Sequence, residues 1–66
     1  MSVARVTEIT SRAGGYEAAI QAGLERASQT LRGVTHAWVK DHEVYLDEGT
    51  GAQHQVTLKV TFMLDD

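Results

Sequence analysis

The chain has 66 residues, a net charge of −3 and no cysteine. That length holds one domain with a small core, marginal unless something supports it. Disulfides and thiolate metal sites are excluded as that support, which leaves association with further copies. The missing cysteines also fit a cytoplasmic protein. The acidic balance, with no basic cluster, argues against nucleic acid as the main partner. No run approaches the roughly 20 apolar residues of a membrane span, and the N-terminus MSVARVTEIT lacks a signal-peptide core, so no membrane partner is expected.

Residues Val3 to Thr10 (VARVTEIT) are β-prone and mixed in polarity, which predicts a first strand. Ser11 to Gly15 (SRAGG) reads as a loop, with Ser11, Gly14 and Gly15 as candidate helix starts. From Tyr16 to Arg32 the period changes: Tyr16, Ile20, Gly23, Leu24, Ala27 and Leu31 recur at three- and four-residue intervals. Glu17, Gln21, Glu25, Ser28, Gln29 and Arg32 fill the other side. This pattern predicts one amphipathic helix of about five turns. Small residues (Ala19, Gly23, Ala27) in its buried stripe suit close packing on a sheet, and Gly33 is expected to end it as a C′ glycine. Two strand-like runs follow, separated by DEGTGAQ, where Gly49 and Gly51 supply positive φ for a hairpin loop. In the second run His54, Val56, Leu58, Val60, Phe62 and Leu64 alternate with Gln55, Thr57, Lys59 and Thr61, the period of a half-buried strand. The expected fold is α+β: a β-α-β-β chain forming a three-stranded antiparallel sheet with one helix on one face.

The first hairpin run carries a conflict. Ala37 and Val39 should match the aliphatic face of the last strand, which sends His36, Trp38, Lys40 and His42 to the opposite, polar face. Three arrangements answer it: a bulge or register change that returns Trp38 to the core, a subunit interface, or an aromatic platform for a planar ligand. One helix covers only one sheet face, and the long strands outrun it; both facts point to copies packing together.

Other chemistry is sparse. His36 and His42 fall about 20 Å apart on one strand and His54 on the other face, so no intramolecular zinc site is expected. The acidic set Asp41, Glu43, Asp47, Glu48, Asp65 and Asp66 reads as solvated surface or as calcium ligands at a symmetry axis. No nucleophile–base pair or phosphate loop is visible, and the GTG at Gly49 is a turn, so no enzyme is expected.

The order of elements, the helix AAIQAGLERASQTLRGV and above all the last strand HQVTLKVTFMLDD resemble the dodecins. The resemblance implies a hollow homododecamer that stores or buffers flavin (riboflavin or FMN), with isoalloxazine rings stacked between tryptophans of neighbouring subunits. It also implies that Gln55, matching a glutamine near the start of the family's last strand, hydrogen-bonds the ring. The family's stacking tryptophan falls at His36, and Trp38 stands where the family usually has Glu. Two residues along a strand return to the same face about 7 Å away, so Trp38 and His36 are both expected at the flavin. The family's Arg-Gly-His in this hairpin is replaced by Glu43, Val44 and Tyr45, which makes Tyr45 a further candidate, and its last-strand arginine by Met63. Because some dodecin-like proteins lack the tryptophan and bind no flavin, the alternative is a structural or calcium-binding assembly. Within one hairpin, Gln55 is expected opposite residues near 45, roughly 20 Å from Trp38.

Overall fold

The structure is a computed structural model that describes residues 2–49 and 51–64. Its elements are β1 (Ala4–Ala13), α1 (Tyr16–Thr30), β2 (Val34–Asp47) and β3 (Gly51–Met63). The three strands form one antiparallel sheet in the order β1-β3-β2. The last strand is central, which suits its alternation: Val56, Leu58 and Val60 are fully buried and face α1.

The helix lies close because its contact stripe is small. Ala19, Gly23 and Ala27 are its buried residues. A Cβ built on Gly23 would sit 2.7 Å from Leu58 Cδ1 and 2.9 Å from Ser11 Oγ. Gly15 is the N-cap, in extended conformation and with no side-chain cap. Ser11 does not cap the helix; its Oγ donates to Ala19 O at 2.6 Å.

Three boundaries differ from the pattern-based expectation. Ser11–Ala13 is strand rather than loop, paired with Val56, Gln55 and His54; pairing with a central strand overrides the weak β propensity of SRA. β3 likewise begins at Gly51, three residues before the alternation becomes visible at His54. α1 ends at Thr30, with Leu31 as an extended C-cap whose N–H still reaches Ala27 O at 2.8 Å. Gly33 is therefore not the C′ residue. It adopts φ +68 beyond the cap, where its carbonyl accepts from Met63 N at 3.0 Å and a Cβ would meet Met63 O at 3.2 Å. Entry into β2 beside β3, rather than helix termination, requires this glycine. Gly49 and Gly51 have the expected positive φ.

β2 slips register twice, at Thr35 and at Lys40. Each bulge adds one residue and reverses the side-chain alternation beyond it. Between the bulges Ala37 and Val39 pair with Val60 and Leu58 on the helix side, and His36 and Trp38 pair with Thr61 and Lys59 on the outer side. Beyond Lys40, His42 pairs with Val56 and turns to the helix side, while Asp41, Glu43 and Tyr45 turn outward. The expectation that His42 shares a face with His36, away from His54, is thereby corrected.

Candidate functional site

The outer sheet face carries two clusters. The first lies where β2 runs straight. His36 and Trp38 stack on each other, ring centroids 5.4 Å apart and planes 18° from parallel. Lys59 Nζ sits 5.9 Å from the Trp38 ring centroid. Trp38 keeps 43% of its surface exposed, so the bulge at Lys40 does not return it to the core. The two rings cannot sandwich a third within one chain. Two stacked contacts at the carbon–carbon optimum of about 3.5–4.0 Å each need about 7 Å, more than their separation. The pair instead forms one thick aromatic block whose uncovered surface is available to a ligand or a second copy.

The second cluster gathers around Gln55. Arg12 Nη2 donates to Gln55 Oε1 at 2.8 Å, and Gln55 Nε2 donates to Glu43 Oε1 at 3.4 Å. The Arg12 guanidinium stands 4.4 Å from the centre of the Tyr45 ring, a cation–π contact that aligns both groups. A primary amide has two donors and two acceptor lone pairs. One of each therefore remains on Gln55, enough for a donor–acceptor ring edge. Pairing of Glu43 with Gln55 corrects the expected opposition near residue 45. Gln55 is four residues from Lys59, the partner of Trp38, or about 13 Å along the strand rather than 20 Å.

The structure thus brings Trp38 to His36 and Tyr45 to Gln55, and keeps the pairs apart on one face. Arg12 was missed because SRA read as loop; continuing the alternation Val6, Glu8, Thr10 by one step reaches it. Glu43, expected as the replacement of an arginine and as one of the acidic set, instead accepts from Gln55. Among the described residues no three His, Cys, Asp or Glu converge as a metal site, and Asp65 and Asp66 of the acidic set lie outside them. No pocket is enclosed by the described residues of a single chain.

The dodecin family model matches residues 3–65. The chain belongs to the dodecin family. Among solved structures, a variant of the Thermus thermophilus dodecin is similar at 36% identity and TM-score 0.91, covering 100% of both chains. The dodecin from Streptomyces davaonensis follows at 39% identity and TM-score 0.89, covering 98% of this chain and 97% of that one. A calcium dodecin from Mycobacterium tuberculosis shares the fold at 22% identity and TM-score 0.84, over 97% of this chain and 93% of that one. Among curated proteins nothing matches the chain.

Proposed function

We propose that this dodecin is a flavin-binding storage or buffering protein of one domain, working in the cytoplasm as a homododecamer and not as an enzyme. Trp38 carries the reading. It is the chain's one tryptophan, it stands exposed on the outer sheet face, and an aromatic block there suits an isoalloxazine ring. Trp38 and His36 would supply the stacking surface. Gln55, held by Arg12, would hydrogen-bond the ring edge of a flavin bound between copies, and Tyr45 would close the site beside it. The family supports flavin as the ligand class, and the open outer face, with no pocket among the described residues, supports a site shared by subunits.

Adding the purified assembly to riboflavin or FMN tests the reading. Stacking on indole should quench flavin fluorescence in a saturable way, and protein purified from cells should be yellow. Colourless protein that leaves flavin fluorescence unchanged would favour the alternative, a flavin-free shell or calcium-binding assembly. Asp41 and Glu43 on the same outer face support that second reading, as does the existence of a calcium dodecin among the similar structures.

A further inference from the structure

Two histidines that the flavin face does not use meet on the helix side of the sheet. The bulge at Lys40 turns His42 to that side, where it pairs with Val56, while His54 pairs with Val44. The imidazoles are therefore diagonal cross-strand neighbours. His42 Nε2 and His54 Nδ1 lie 2.8 Å apart, with ring centroids 5.1 Å apart and planes 22° from parallel. Tyr16, the first residue of α1, places its ring 4.4 Å from that of His42, tilted by 42°. A strand bulge, a strand pairing and a helix start together hold two ring nitrogens face to face.

Such a pair can share one of two things. In the free pair it is a proton, one imidazole donating and the other accepting. The other is a metal ion, to which both nitrogens offer lone pairs. A tetrahedral ion with metal–nitrogen bonds of about 2.0–2.1 Å sets its two nitrogens about 3.4 Å apart. The pair would need to open by only about 0.6 Å relative to that spacing. His42 is exposed and His54 half-buried, so small side-chain rotations suffice.

The geometry points to a site for a borderline divalent transition-metal ion, Zn²⁺, Ni²⁺ or Cu²⁺, chelated by His42 Nε2 and His54 Nδ1. On binding, the donating imidazole moves its proton to its other ring nitrogen, so both ligands stay neutral and no co-reactant is needed. Imidazole suits these ions, whereas Ca²⁺ and Mg²⁺ prefer oxygen ligands. Among the described residues no third His, Asp or Glu completes a cluster. Water then fills the remaining positions, and the site exchanges its ion rather than supporting the fold. It is separate from any flavin, since the sheet lies between the two faces.

The test is calorimetric titration of Zn²⁺ into the intact, untagged protein, with Ca²⁺ as competitor. Saturation near one ion per chain, undisturbed by excess Ca²⁺, is expected. His42→Gln and His54→Gln should each weaken it by about tenfold or more, the least that even an outer partner of a metal contributes; His36→Gln should leave it unchanged. Circular dichroism and light scattering establish that the variants keep their fold and assembly. Nitrogen NMR of the wild-type imidazoles gives a second readout that needs no variant: Zn²⁺ should shift His42 and His54 and leave His36 in place. Absence of saturable uptake below millimolar Zn²⁺, uptake that survives in the double variant, or a shift of His36 alone overturns the proposal.

Discussion

Trp38 and Gly23 show at residue scale how one side chain, or its absence, commits a whole face. If flavin stacks on Trp38, then Trp38→Ala should weaken binding by roughly 1–3 kcal/mol, the scale of lost stacking and buried area. His36→Ala should weaken it less, because its ring presents the smaller apolar surface. Fluorescence titration of both variants, after light scattering shows that each keeps its assembly, checks the order. A larger loss at His36 would move the stacking position there, and full binding in both would remove the outer face as the platform. At Gly23, alanine gains about 1 kcal/mol of helix propensity. Its methyl would sit 2.7 Å from buried Leu58 and 2.9 Å from the Ser11 hydroxyl that holds Ala19. Overpacking of that kind costs typically 1–3 kcal/mol. Gly23→Ala should therefore lower stability on balance in denaturant titrations, and a stabilised variant would contradict the close helix–sheet approach.

At the scale of elements, β3 and the Lys40 bulge decide most of the arrangement. β3 pairs on both edges and supplies all three of the largest fully buried side chains, Val56, Leu58 and Val60. Leu58→Ala should cost about 2–5 kcal/mol, the range for truncating a buried leucine, read as a shifted denaturation midpoint at fixed protein concentration. The bulge residue itself is another matter. Lys40 Nζ lies 3.4 Å from Glu8 Oε1, but the two side chains keep 45% and 48% of their surface exposed. Surface pairs of this kind are worth about 0–1 kcal/mol. Lys40→Ala should thus change stability little, and the His42–His54 contact should persist, because the extra backbone residue and not the ammonium makes the turn of face. Loss of that contact in the NMR spectrum of Lys40→Ala would assign the bulge to the salt bridge instead.

The whole molecule is long for its size. Its radius of gyration is 13.7 Å and its extents are 51 × 19 × 13 Å. A compact chain of this length has a radius near about 11 Å. The excess comes from the hairpin: 15 helical residues span about 22 Å, whereas the 14 of β2 span about 46 Å. The arm beyond the helix holds Val44 and Leu46, exposed by 51% and 87% among the described residues. An arm of this kind suits burial between copies. If copies pack through this arm, Leu46→Asp should leave the helix signal in circular dichroism intact yet give smaller species by size-exclusion chromatography with light scattering. An unchanged large species would show that the arm is not part of the subunit contact.

The elements themselves were legible in the sequence, because each is governed by a local period: two for β3, where burial is one-sided, and 3.6 for α1, with its stripe of small residues. Trp38 facing away from the core was legible too, since the aliphatic face of β3 leaves Ala37 and Val39 to meet it. Three things were decided by tertiary structure alone. Ser11–Ala13 became strand because β3 offers an edge to pair with, and this brings Arg12 to Gln55. α1 stopped at Thr30 because the chain must reach Met63 through Gly33. Above all, the extra residue at Lys40 leaves no mark on composition or hydropathy. A bulge is fixed by how two strands settle against the helix on either side of it. It moved His42 across the sheet to His54, where a strict period of two had held them on opposite faces.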